Sequence, residues 1–326
     1  MDGQKRKRHF GRWVFLLVLV AVVVAIVLNR EWIYDYYRGM TYQPTSEMSR
    51  IRGALTLTDR GEFLFNASQP VLSGSDEFNA HCRGDGVEIA VLGCYTEGNI
   101  YVYNITDAEL DGVRELTAAH ELLHAVFARM GEEKKAELKP VLEQVYKQNL
   151  DILEEDIGTY TTTEQFEELY VRAGTEVANL PPTLEKHYAE IFKNQDAVVA
   201  YYDKYNGVFR TLQAEMDALT EEMEAMNTEI AQKTNEYERR VRQLDADIVS
   251  FNSCAEVAGC FGSEEEFQVQ RAELVAEQTA LEGLYDEISG LINTYNAKVE
   301  VYNADVMHGK KLNNVINSAA KPQEIE

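Results

Sequence analysis

Thr117-Ala118-Ala119-His120-Glu121-Leu122-Leu123-His124 is the stretch on which the fold turns. His120 and His124 are four apart, and on a helix that spacing sets both imidazoles on one face, with Cβ atoms about 5–6 Å apart. They can therefore share one small ion. Glu121, next to the first histidine, can reach a metal-bound water without being a ligand itself. Only six histidines occur in the whole chain, and two of them stand here. Leu116, Ala119, Leu123, Val126, Phe127 and Met130 recur at three and four, which predicts an amphipathic helix with a buried stripe. Gly131 supplies its C-terminal stop. A His-Glu-x-x-His run on a helix is the two-histidine half of a zinc site with its general base alongside.

A tetrahedral zinc with one position open for water needs a third protein ligand. No histidine follows His124 at short spacing, so a later acidic residue is the natural candidate. Thr161-Thr162-Thr163-Glu164-Gln165 carries capping-box signals, which predict a helix through Phe166 to Glu176 that ends before Pro181-Pro182. Glu176 is the first choice on that helix, because the small residues after it allow close packing, and Glu168 is the reserve. Eight residues apart, the two differ by only about 80° in direction, and the spacing does not separate them.

Upstream, Val87–Leu92 and Asn99–Ile105 alternate and are rich in β-branched and aromatic residues, with Thr96-Glu97-Gly98 as a turn between them. They predict a β-hairpin leading directly into the histidine helix. Tyr42 to Pro70 reads as loops and short elements. After Gly131 the sequence predicts two helical pieces divided by Pro140, then an acidic, loop-like Asp151–Thr163.

The chain has 326 residues and a formal charge of −24, with no basic patch beyond the first dozen residues, which argues against nucleic acid as a partner. Lys5-Arg6-Lys7-Arg8 and Arg12 form a basic tail over residues 1–12. An unbroken apolar run from Trp13 to Leu28 follows, and residues 13–33 are expected to be an uncleaved transmembrane anchor. Trp13 on one side, and Trp32, Tyr34, Tyr36 and Tyr37 on the other, match interfacial aromatic belts. The charge asymmetry keeps the N-terminus cytoplasmic and the rest extracytoplasmic. The four cysteines fall in two local pairs, Cys82 with Cys94 and Cys254 with Cys260, and in an oxidising compartment these read as two disulfides. A metal site at His81, Cys82 and Cys94 lacks a fourth ligand.

Residues 40–195 form the expected catalytic-type domain, and 196–318 are of another kind. Tyr201, Tyr205, Val208, Leu212, Met216, Leu219, Met223, Met226, Ile230, Tyr237, Val241, Leu244 and Ile248 step by three and four. Leu274, Leu281, Tyr285, Ile288, Ile292, Tyr295, Val299, Tyr302 and Val306 continue the pattern. These seams predict an antiparallel coiled-coil hairpin with a disulfide-clipped tip at 250–263 and arms on the order of 90 Å long. The hairpin could bind a protein partner at its tip, self-associate, or act as a spacer. Residues 319–326 are short and polar, and disorder is expected there.

His120-Glu121-Leu122-Leu123-His124, with a glutamate on a downstream helix and a hairpin before the motif, resembles the gluzincin group of zincin metallopeptidases over roughly Cys82 to Phe192. Together with the anchor and coiled-coil tail, it also resembles membrane-anchored bacterial proteins. The resemblance implies an α+β zincin-like domain with zinc held by His120, His124 and a carboxylate. Glu121 would then take a proton from the zinc-bound water and pass it to the leaving amine of a peptide or protein substrate. The family usually adds a Tyr or His donor for the oxyanion, for which Tyr170, His187 and Tyr188 are available. An exposed edge strand beside the helix could hold an extended peptide. The contrasting expectation is a non-catalytic surface scaffold or adhesion protein whose hairpin binds a partner, and the intact Glu121 speaks for the enzyme.

Overall fold

The computed structural model of the chain describes residues 3–82, 91–157 and 162–318. It is mostly helical, with a small three-stranded sheet and a long C-terminal helical region. Two units are distinguished: Met1–Val208 with Asn313–Glu326, and Phe209–Leu312.

The first unit begins with α1 (Gly3–Leu28), whose large apolar side chains from Trp13 onward are all exposed. One residue later α2 (Arg30–Thr41) starts in a new direction, so Trp32 and Ile33 belong to α2 and not to the apolar helix. Among the described residues no single helix is long and apolar enough to cross a membrane. Trp13–Leu28 and Arg30–Thr41 pass that test only together, with a bend of 67°. Helices α3 (Ser46–Ala54) and α4 (Asp59–Ala67) occupy the region expected to hold loops and short elements. Each is opened by a threonine: Thr45 accepts from the Met48 N–H and Thr58 from the Gly61 N–H, satisfying donors that a helix start leaves unpaired. Gly53 and Gly61 weaken the helical signal of these short segments. Gly61 is nevertheless required, since a Cβ there would collide with the Ile191 carbonyl.

Three strands follow, with α5 (Ser75–His81) after the first: β1 (Val71–Ser73), β2 (Gly93–Thr96) and β3 (Asn99–Tyr103). The sheet order is β1-β3-β2, with β1 parallel and β2 antiparallel to the central strand. The turn falls where expected, with Glu97 at φ 50° and Gly98 at φ 80°, the left-handed pair of a type I′ hairpin. The first strand lies later than expected. Val87–Ala90 are outside the described residues, Val91 and Leu92 are not part of the strand, and pairing begins at Gly93. The Cys82–Cys94 disulfide fastens the end of α5 to β2. His81 stacks on the Tyr101 ring instead of joining a ligand set.

Helix α6 (Val113–Ala128) carries the motif and is buried on nearly every side, including Leu116, Ala119, Leu123, Val126 and Phe127 of the expected stripe. Gly131 caps the start of the next helix rather than ending this one. Helix α7 (Glu132–Gln148) runs unbroken through Pro140, correcting the expected division. Burial of Leu138, Leu142 and Val145 on either side of the proline holds its two halves to the core. Helix α8 (Leu150–Ile157) replaces most of the acidic loop, and α9 (Thr162–Glu176) forms as the capping signals indicate. Helix α10 (Pro182–Tyr188) follows.

The long helices are α11 (Gln195–Ala255) and α12 (Glu264–Ile316). Within Phe209–Leu312 they form a helical hairpin. Arg240 pairs with Glu277 and Lys233 with Glu287, while Lys298 pairs with Glu222. Numbers that rise along one arm fall along the other, so the arms are antiparallel. The Cys254–Cys260 disulfide clips the tip, beside a cluster of Phe251, Phe261 and Phe267. Leu281, Leu284 and Ile288 are buried, whereas Tyr285 is 57% exposed and Ile292 42%. The second seam therefore lies one residue earlier at two of its expected positions. Ile248 of the first seam is exposed as well.

Helix α9 packs on α6 at Gly174, where an added Cβ would lie 2.5 Å from Leu123 Cδ1 and 2.6 Å from Tyr188 Cε1. Both neighbours are fully buried. Gly174→Ala should therefore cost about 1–3 kcal/mol in urea unfolding despite alanine's better helix propensity. Gly131→Ala, with nothing within 4 Å of the new atom, should change stability by less than about 0.5 kcal/mol.

Candidate metal centre

Burial of α6 leaves His120 and His124, mostly buried, as the residues of its central turns that keep some exposure. They face a cleft of about 520 Å³ bounded by β2, α6, α9, Asp151 and Ile152 of α8, and Tyr202, Tyr205 and Asn206 of α11. The two Nε2 atoms are 3.3 Å apart. Glu168 on α9 meets both, with Oε1 3.6 Å from His120 Nε2 and Oε2 3.5 Å from His124 Nε2. Among the described residues, His120, His124 and Glu168 are the group that could hold a metal ion, with one ligand atom from each lying within 4.8 Å of the others.

The dimensions suit a small metal ion. Ligand atoms about 2.0–2.2 Å from a tetrahedral ion stand about 3.3–3.6 Å apart; here the two Nε2 atoms are 3.3 Å apart, and each is met by a different oxygen of Glu168, Oε1 for His120 and Oε2 for His124. The donor set is two imidazoles and one carboxylate, and all three side chains line the cleft.

The charge balance points the same way. Burial pushes Glu121 up to about 7, with Glu168 and Glu167 adding to the rise against the opposing pull of His124. Burial lowers His120 to about 4, partly offset by Glu168. Burial would also lower His124, but hydrogen bonds to Glu167 and Glu168 outweigh it and raise the ring to about 10. Glu168 falls to about 2 because His120 and His124 overcome the effect of burial on its carboxylate. Without an ion, a proton on His124 offsets the surrounding carboxylates. A divalent cation would take over that role.

Glu176, the first choice as third ligand, lies outside this group. Its carboxylate is held by Arg172, with Nε 3.0 Å from both oxygens and Nη2 2.9 Å from Oε2. The reserve, Glu168, is the one brought to the histidines. The two glutamates are separated by two helical turns, about 12 Å along α9, so direction alone could not decide between them. Arg172 also donates to the Ile152 carbonyl and adds to the lowering of Glu168.

The phenols and imidazole considered for the oxyanion are elsewhere. Tyr170 and Tyr188 are fully buried, Tyr170 Oη lies 3.0 Å from His187 Nε2, and Tyr188 donates to the Tyr170 carbonyl. None of the three lines the cleft, where Tyr95, Tyr202 and Tyr205 stand instead.

Two contributors were not singled out in the sequence. Glu167 lies 2.8 Å from His124 Nδ1 and so fixes which ring nitrogen faces the ligand position. The need of any ligating imidazole for a second partner is the signal that could have found it. Gly93 is the other: a Cβ there would lie 2.5 Å from Thr117 Cγ2 and 2.7 Å from Glu121 Oε1. Its absence lets the strand approach until the Tyr95 N–H reaches the Glu121 carboxylate. Comparison of the chain with protein-family models, curated proteins and solved structures returned no match.

A pH test follows from Glu121. Between about pH 4.5 and 7 the unfolded chain loses this proton while the folded, metal-free protein keeps it. Wild-type stability should fall across that window by on the order of 3 kcal/mol relative to Glu121→Gln, which has no proton to lose. Urea unfolding in the presence of a chelator at several pH values measures the difference; parallel curves would refute the assignment.

Proposed function

We propose that the protein is a membrane-anchored, zinc-dependent metallopeptidase of the zincin type that hydrolyses peptide bonds outside the cytoplasm. The observation carrying this reading is the convergence of His120, His124 and Glu168 in one cleft, with Glu121 buried beside them. His120, His124 and Glu168 would hold a zinc ion, which would supply a Lewis acid and lower the pKa of a water bound to it. Glu121, buried beside the ligand position in the cleft, would be placed to accept a proton from the nucleophile and return it to the departing amine. The Tyr95 N–H orients that carboxylate, and Glu167 keeps His124 Nε2 turned to the ligand position.

Strand β2 supports a peptide as substrate. Tyr103 donates to the Leu92 carbonyl, and by the alternation of an antiparallel ladder Cys94 and Thr96 also bond toward β3. Gly93 and Tyr95 consequently turn their backbone groups away from the sheet, the Tyr95 N–H to Glu121, which leaves the Gly93 groups and the Tyr95 carbonyl for a peptide in the cleft they line. An extended peptide could add to this edge. The exposed apolar face of α1, preceded by Lys5-Arg6-Lys7-Arg8, supports anchorage with the N-terminus cytoplasmic. Its sixteen residues from Trp13 span about 24 Å, so the helix would cross a thin bilayer or use residues before Trp13.

Metal content and proteolysis test the reading together. The purified protein should contain one zinc per chain and cleave a mixed peptide library. Glu121→Gln should retain the zinc and lose at least about 100-fold in activity. Glu168→Ala and His120→Ala should lose the zinc, while Glu176→Gln should keep it. A zinc-free wild type, or a Glu121→Gln variant as active as wild type, would overturn the proposal.

A further inference from the structure

Helix α2 is amphipathic in the inverse sense. Its buried residues are Asp35 and Arg38, while Trp32, Ile33, Tyr36, Tyr37 and Met40 are exposed on one face and Tyr34 is exposed on the flank, beside Arg38. At 100° per residue these five span about 140° of the helix surface, opposite the face that meets the body. The buried charges are fully engaged. Arg129 grips Asp35 with two bonds of 2.7 and 2.9 Å. Arg38 donates to the Ala67 carbonyl, the Gly98 carbonyl and Asn99 Oδ1. The helix is therefore bolted to the body by charge, and among the described residues its aromatic side is left exposed.

We propose that α2 lies along the headgroup layer of the bilayer that α1 enters, with this aromatic face against lipid. The inference rests on the anchorage proposed above. Lipid is favoured as the occupant by continuity, because only Asn29 separates α1 from α2. No tether is available to carry the face away from the surface. The bend of 67° agrees. With α1 along the bilayer normal, a twelve-residue α2 about 18 Å long rises only about 7 Å. The polar interface on each side of the hydrocarbon is about 5–7 Å thick. Tryptophan and tyrosine, apolar in body and polar at the tip, favour that layer. Docked in this way, the body carrying the cleft is held in one orientation at the membrane surface.

The test uses the full chain in phosphatidylcholine vesicles, with Trp13→Phe leaving Trp32 as the sole tryptophan and Trp32→Phe leaving Trp13. Trp32 emission should shift to shorter wavelength than that of the urea-unfolded chain. Its acrylamide quenching should fall several-fold, and lipids brominated high on the acyl chain should quench it more than lipids brominated near the chain end. If Trp13 is quenched by brominated lipid but Trp32 only by acrylamide, anchorage stands and the docking of α2 is wrong. Strongest quenching of Trp32 by the deep bromines would make α2 part of a bent span and also overturn the proposal. If neither tryptophan meets lipid and the chain does not sediment with vesicles, the anchorage fails and the docking with it.

Discussion

Close backbone approach at two glycines sets the geometry of the cleft. Strand β2 reaches α6 at Gly93 and α9 reaches it at Gly174, each at a distance that leaves no room for a methyl group. The motif helix is held from two directions, so its ring-bearing face stays fixed relative to both the strand edge and the acidic helix. Leu122 and Leu123, within the motif itself, are fully buried. Packing at interior density makes that position stiff, and the imidazoles inherit the stiffness. The preorganisation a metal centre needs thus comes from apolar contacts and missing side chains as much as from polar bonds.

The electrostatics build on that scaffold. Glu121, Glu167 and Glu168 surround two imidazoles in a partly buried cleft, an arrangement that is costly unless positive charge is present. Arg172 lies close by on α9 but is directed to Glu176 and to the α8 backbone. The positive charge is thus left to be supplied at the histidines, by a proton or by a cation.

Much of this was readable in the residues, for physical reasons that differ by element. The helical period around His120 and the capping signals before Phe166 are local, and both helices formed accordingly. The β-turn at Glu97-Gly98 is likewise dictated by conformations that glycine makes easy. Of the strand expected over Val87–Leu92, Val87–Ala90 lie outside the described residues, and the described pairing begins at Gly93 because the ladder with β3 decides which part pairs. The choice between Glu168 and Glu176 depended on how far α9 slides along α6, a tertiary quantity absent from any spacing. The same holds for the seam at Tyr285 and Ile292, where a shift of one position moves a side chain across the helix face. Pro140 reads as a breaker when taken alone, yet α7 continues because burial on both sides of it outweighs one lost backbone bond.

Ser318 accepts a hydrogen bond at its carbonyl from Asn79, and its hydroxyl bonds back to the same side chain. The polypeptide that leaves the first unit after Val208 thus re-enters it from Asn313 and is fastened near α5. Topologically the helical hairpin is a loop out of the first unit, with both of its ends returned to that unit. Changing the length of the two arms together would therefore leave the stitched margins of the first unit where they are.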